Sequence, residues 1–417
     1  MIKKIDVAQL KPGMYVHDFA CGWLENPFFK NSLLIKDEAT IVKIVVHGIK
    51  ELFIDTEKGV DARPAVLPIE PVAEELPDEI DTPGSTIVTM AAFEKKLIGI
   101  VPRDLRDELP EAMKLRREME TAMEDVFQDI SSGKNMDISA TREVSGKIVE
   151  SVFRNNEALP CVAKAQNTGK YFVSRALNVS SLMTAFAKYL GIPPVEIIDI
   201  ATGALLYDVG MLKIDPNILK KTEKLTPVEY DEIRMHILYS YEIISGAAGD
   251  IQPALQMAML HHERHDGSGY SQGVKGEQIP EKVRMLSIAD SFDAMTTKRA
   301  YSGAINLSAA NRKLLEMTTP GQLDETLVKL FIRCIGIYPV GTIVRLSSGK
   351  VGIVIRQNPD SLLKPLVKII YDSNENRFVN PRDLDLSNLP DNRLDEKITR
   401  VDQENNLNIS LIDLLLA

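Results

Sequence analysis

Cysteine is scarce: Cys21, Cys161 and Cys334 are the three in 417 residues, far apart and odd in number. That argues against a disulfide framework and for a reducing cytosol. Long hydrophobic runs are missing as well. No stretch approaches the roughly 18 apolar residues that carry a helix across a bilayer. The start, Met1-Ile2-Lys3-Lys4-Ile5-Asp6, breaks into charge before any signal-like segment. No membrane insertion is therefore expected. An excess of positive charge is also absent, with 49 Lys and Arg against 59 Asp and Glu and a formal net charge of −10. Such a balance argues against nucleic acid as the partner and leaves room only for a local basic site that takes a small anion. What remains is an ordinary folded composition, 44% hydrophobic and 26% charged. At roughly 150 residues per domain, the length suits two or three domains. Histidine is rare but clustered: of six, His236, His261, His262 and His265 fall within thirty residues.

The expected fold is multidomain and mainly α. Residues 1–60 read as a small α+β domain of unknown function, with a strand over Gly13 to Val16, a helix over Asp37 to His47 ending at Gly48, and a strand at Leu52 to Ile54. Residues 61–92 are rich in Pro, Glu and Asp and read as a linker. Within 93–137, Leu115, Met119, Met123, Val126, Phe127 and Ile130 recur at helical spacing. This amphipathic connector either packs on its own domain or serves a homodimer or signalling partner. Residues 138–337 read as an all-α bundle, with helices over 145–156, 171–190, 194–208, 226–245, 251–263, 280–296 and 306–316. Residues 338–417 read as a small β unit and tail, with strands near Thr342 to Leu346, Lys350 to Arg356 and Leu366 to Tyr371.

The chemistry concentrates in His261-His262-Glu263-Arg264-His265-Asp266-Gly267-Ser268-Gly269-Tyr270. Adjacent helical histidines point about 100° apart, so they share one site only where the helix ends against it. Gly267-Ser268-Gly269 supplies that end. Upstream, Asp208 closes an apolar helix and His236 sits in another; downstream, Asp290 and Asp293 lie one turn apart. Imidazoles and carboxylates converging from several helices suit Fe, Mn, Zn or Ni better than Ca or Mg. His17 and His47 have no acidic or thiol partner at ligand spacing and read as structural, and His265 lines an entrance at most.

The order Tyr207-Asp208, His236, His261-His262, Gly269-Tyr270, Asp290 and Asp293 resembles the HD-GYP subgroup of the HD phosphohydrolases. The likeness covers about 140 to 340, and extends to the N-terminal unit and to the ending Phe331 to Pro339 with the β tail. It implies a helical bundle with a two- or three-metal centre that hydrolyses cyclic dinucleotides, chiefly cyclic di-GMP, in bacterial signalling. It also implies one metal on Asp208, His236, His261 and His262. A second would use the positions of Arg175, Tyr207 and Asp290, with Asp208 bridging.

The departures fall on the second metal. Tyr207 stands where the family has His, Arg175 where it has an early His ligand, Met211 where it has Lys, and Ser271 where it has Pro. Arg299-Ala300-Tyr301-Ser302 replaces a phosphate-holding Arg-Pro-Tyr-Arg stretch. Arginine cannot be deprotonated to ligate a metal. The expectation is at most one divalent metal per chain, with Arg175 and Tyr207 as its substitute at the second site. Phosphodiesterase turnover should then be impaired, because two ions jointly activate the water and neutralise the phosphate. Arg264, Gly269, Tyr270, Lys298 and Arg299 are the candidate ligand contacts, the cations otherwise forming a solvated rim. Three readings stay open: a cyclic-dinucleotide receptor or interaction module, an active phosphodiesterase with a rearranged centre, and a partner-binding protein with a closed pocket.

Overall fold

Short alternating segments build the first unit, residues 1–99, in this computed structural model. The structure describes residues 2–18, 32–36, 40–41, 44, 51–56, 58–60, 96–97, 99–165, 170–247, 252–297, 304–389, 396–402 and 415. Strands β1 (Ile2–Asp6), β2 (Tyr15–Asp18), β3 (Leu33–Leu34) and β4 (Glu51–Asp55) pair antiparallel in the order β1-β4-β2-β3. One face buries Ile5, Met14, Val16, Leu52 and Ile54. The expected strand at 13–16 sits later, at 15–18, because residues 12 and 13 form the turn before it. Of the helix expected at 37–47, only Thr40, Ile41 and Ile44 are described, and they are helical. The segment 61–92, Cys21 and His47 lie outside the described residues.

The second unit, residues 100–417, opens with α1 (Leu105–Ser131). It starts earlier than the spacing from Leu115 predicts, because Leu105, Leu109 and Ala112 extend the same buried stripe. That stripe lies in this unit's own core. There follow α2 (Ile138–Arg154), α3 (Ala158–Ala165), α4 (Tyr171–Tyr189), α5 (Pro194–Leu206), α6 (Pro216–Leu219), α7 (Pro227–Arg234), α8 (His236–Ser245), α9 (Gln252–Leu260), α10 (Glu281–Thr296), α11 (Leu307–Thr318) and α12 (Glu325–Ile335). The architecture is mainly helical, as expected, with small antiparallel sheets toward both ends. Among the described residues, no helix is long and apolar enough to cross a membrane.

Two departures from the predicted helices matter for the site. The single helix expected over 226–245 breaks at Met235, so that α8 begins on His236. The helix expected over 251–263 stops at Leu260, which leaves His261 and His262 just beyond its end. At the chain's end a five-stranded antiparallel sheet runs β8-β7-β6-β5-β9, formed by β5 (Ile343–Leu346), β6 (Lys350–Arg356), β7 (Leu366–Asp372), β8 (Arg377–Asp385) and β9 (Ile398–Val401). Strands β8 and β9 escape sequence reading because they are edges. Their residues are mostly exposed, β8 carries Pro381, and no buried face imposes alternation.

Candidate metal centre

Five chain segments deliver the centre and its surroundings: α4, the turn after α5, α8, the loop after α9, and α10. Helix α5 ends at Leu206, and Asp208 caps a 3-10 turn over Val209–Lys213. Gly210 lets α8 lie directly on that turn: a Cβ there would come 2.1 Å from the His236 carbonyl and 2.4 Å from the Ser240 nitrogen. The Gly210 N–H instead donates to Ser240 Oγ at 2.8 Å. This contact sets Asp208 beside His236, with Oδ1 3.3 Å from His236 Nε2 and 3.6 Å from His261 Nε2.

The imidazoles are held from behind. His236 Nδ1 lies 2.6 Å from the Ile233 carbonyl, and His261 Nδ1 lies 2.9 Å from the Ala258 carbonyl. Carbonyls only accept, so each Nδ1 carries the proton and each Nε2 presents a lone pair. Those lone pairs converge: His236 Nε2 is 3.2 Å from both His261 Nε2 and His262 Nε2. One ligand atom from each of the three histidines falls within 4.8 Å of the others. Burial, with crowding by the neighbouring groups, keeps His236 and His262 below the ordinary imidazole value, hence neutral. The Nε2 acceptors of His236 and His261 face each other beside the Asp208 carboxylate, with His262 Nε2 alongside. A divalent transition ion supplies the acceptor-seeking charge they require, so this residue set fits a metal.

Arg175, from α4, occupies the other side of Asp208. Its Nη2 donates to Asp290 Oδ1 at 2.6 Å and its Nε to Tyr207 Oη at 3.0 Å, while Nε lies 3.3 Å from Asp208 Oδ2. Tyr207 Oη in turn donates to Asp290 Oδ1 at 2.5 Å. Burial chiefly pushes the Tyr207 phenol well up, so it keeps its proton and acts as a donor. Burial also acts against the Arg175 charge, but the Asp290 and Asp208 carboxylates outweigh it and hold the guanidinium protonated. The space left beside Arg175, Tyr207 and Asp208 is about 10 Å³, at the lower limit for one water.

The loop after His262 returns onto its own start. A Cβ on Gly269 would meet the Arg264 nitrogen at 2.4 Å and the His262 carbonyl at 2.5 Å. Buried Glu263 fastens the loop by accepting from the N–H groups of Gln272 and Gly273 at 2.5 and 2.9 Å. The result lays the Tyr270 ring on His262, centroids 4.6 Å apart and planes 16° apart. Ser271 takes φ +110° and donates its Oγ to the Met259 carbonyl at 2.7 Å. Proline, fixed near φ −65°, cannot occupy that conformation.

Of the candidate ligand contacts, Arg264 and Gly269 lie in this loop, while Lys298 and Arg299 lie outside the described residues. Sequence reasoning missed three contributors. Tyr171, one turn before Arg175, accepts from its Nη1 at 3.3 Å. Arg234, two residues before His236, places its guanidinium 4.4 Å from the Tyr270 ring centre. Arg116 of α1, fully buried, donates to Asn178 Oδ1 at 2.8 Å, and Asn178 Nδ2 donates to Asp293 Oδ1 at 3.0 Å. Only the i, i+4 spacing of Tyr171 and Arg175 was visible in the sequence. A cavity of about 550 Å³ lies beyond Asn178 and Asp293, lined also by Glu157, Cys161, Cys334 and Asp402, and includes none of the three histidines.

Comparison with known proteins agrees with this architecture. Residues 2–141 match a domain of unknown function, 160–327 an HD domain, and 343–407 a KOW domain associated with HD domain. The chain is 30% identical over 378 residues to a cyclic di-GMP phosphodiesterase of Pseudomonas aeruginosa, covering 89% of this chain and 86% of that one. It is 31% identical over 237 residues to the cyclic di-GMP phosphodiesterase response regulator RpfG of Xanthomonas campestris, covering 54% of this chain and 59% of that one. Among solved structures, it is similar to an HDG"Y"P protein from Bdellovibrio bacteriovorus. The TM-score is 0.45 and the identity 16%, over 79% of this chain and 98% of that one.

Proposed function

The chain belongs to the HD-GYP family of HD-domain proteins, and from that premise we propose that it binds a cyclic dinucleotide, cyclic di-GMP first, at a one-metal centre and hydrolyses it slowly or not at all. It then acts as a receptor or interaction module in signalling. The observation that carries this reading is the Arg175 guanidinium bonded to Asp290 and Tyr207 and lying beside Asp208. A fixed cation there repels a second divalent ion, and both Tyr207 and Arg175 donate to Asp290 Oδ1. That commits this carboxylate oxygen to two donors instead of a metal.

A single Fe, Mn, Zn or Ni ion on Asp208, His236, His261 and His262 would polarise a phosphoryl oxygen. The chain's own part is narrower. His236 and His261 aim their Nε2 lone pairs inward, Asp208 adds one negative charge, and Tyr270 closes the side next to His262. Met211 provides no cation where the resemblance expects one. In this proposal residues 1–60 form a separate input domain and 338–417 an appended β unit. The setting is a reducing cytosol, in keeping with the free thiols Cys161 and Cys334.

Elemental analysis of the purified chain, paired with a cyclic di-GMP turnover assay in added Mn or Fe and calorimetric binding, tests the proposal. At most one metal per chain and binding without turnover is the expected result. Two tightly held metals with turnover would instead establish an active phosphodiesterase with a rearranged centre. Neither binding nor turnover would leave a partner-binding protein with a closed pocket.

A further inference from the structure

Arg234 ends α7 and stands two residues before His236, against the Tyr270 ring that itself stacks on His262. A cation is thereby held one ring away from a candidate metal ligand. Its Nε is buried and meets no hydrogen-bond partner among the described residues, and among them no carboxylate pairs with the guanidinium. An aromatic face compensates a desolvated cation only in part. Such a group is held in readiness for an anion from outside the chain.

Charge supports the same conclusion. Arg175 is already engaged by Asp208 and Asp290, two carboxylates to one guanidinium. With a divalent ion on the histidine set and Arg234 added, the centre carries two positive charges in excess. A cyclic dinucleotide has two phosphodiester groups, each with one negative charge. The planar guanidinium fork matches a phosphodiester's pair of free oxygens, and contact with the Tyr270 ring, 4.4 Å from guanidinium to ring centre, positions the fork before ligand arrives.

We propose that Arg234 is a phosphate-binding residue for the phosphodiester ligand of this centre, oriented by Tyr270. This rests on the cyclic-dinucleotide reading above. The test is calorimetric titration of the full metal-loaded chain with cyclic di-GMP, comparing wild type, Arg234→Gln and Arg234→Lys, with metal content and thermal midpoint measured on each. Arg234→Gln should weaken binding at least tenfold, about 1.4 kcal/mol, with metal content and midpoint unchanged. Arg234→Lys should recover part of that loss, because the charge stays and the planar fork does not. An Arg234→Gln variant that binds within twofold of wild type, or that loses its metal, overturns the inference alone. A wild-type chain that holds metal but binds no cyclic di-GMP overturns the functional reading and this inference with it.

Discussion

Replacing Arg175 by Gln removes the cation from between two carboxylates while keeping a polar side chain of moderate length. The Arg175 side chain is 11% exposed, and those of Asp208 and Asp290 are 18% and 17%. Breaking a buried ion pair by deleting one partner costs about 3–5 kcal/mol, because the remaining charge is stranded. Here Asp290 keeps the Tyr207 hydroxyl and Asp208 keeps its contacts with His236 and His261, so the expected loss is near the low end, about 3 kcal/mol. That is a large share of the roughly 5–15 kcal/mol that a folded domain possesses. Urea unfolding in chelator, followed by far-UV circular dichroism, reads it directly. Added Mn or Ni should then restore more stability to the variant than to wild type, since an ion on the histidine set neutralises Asp208, which the guanidinium no longer serves. Saturation at a hundredfold over Kd is worth about 2.7 kcal/mol. A chelated variant within about 1 kcal/mol of wild type, the size of a surface ion pair, would refute the reasoning. So would an equal metal gain in both proteins.

Ser271→Pro should cost about 3 kcal/mol or more and release Tyr270 from His262, because φ +110° is closed to proline; near-UV dichroism and thermal melts check this, and a variant that melts with wild type contradicts it. Burial pushes the Glu157 carboxyl from 4.5 up to about 7, Arg356 opposing in part. The native state therefore binds the extra proton, and this stabilisation is complete below pH 4.5 and lost as pH rises through 7. Glu157→Gln should accordingly gain roughly 1–3 kcal/mol over wild type at pH 8 and nothing at pH 4.5; equal denaturant midpoints at pH 8 would exclude it. Arg175→His with Tyr207→His should admit a second metal by elemental analysis, whereas either change alone should not.

Periodicity made α4, α5 and α10 legible, because each buries apolar residues at helical spacing. The convergence of His236, His261 and His262 was legible for a different reason, the rarity of histidine combined with a glycine-rich helix end. What stayed hidden depends on contacts distant in sequence. Arg116 falls between Leu115 and Met119 and reads as a polar-face residue, yet it is buried against Asn178, sixty-two positions away. Arg234 looks like an ordinary cation in a helix's last turn until the returning loop brings Tyr270 beneath it. The break at Met235 leaves no Pro or Gly to announce it. Only the imidazole bond to the Ile233 carbonyl shows what the break provides.

The residues around Arg175 follow a rule of donor and acceptor. A metal centre needs acceptors pointing inward: imidazole lone pairs and carboxylate oxygens around a cation that has none. Without that cation, Asp208 and Asp290 remain as acceptors, and their neighbours must become donors. Arg175 brings N–H groups and Tyr207 an O–H, and both are spent on Asp290, while Arg175 Nε also faces Asp208. Arg175 and Tyr207 therefore form a matched pair. Tyr207→His alone would set an imidazole against a guanidinium that excludes any metal, and Arg175→His alone would leave a phenol proton where an ion must bind. Each single change meets a partner of the wrong polarity, which is why a second metal should be admitted only when both change together.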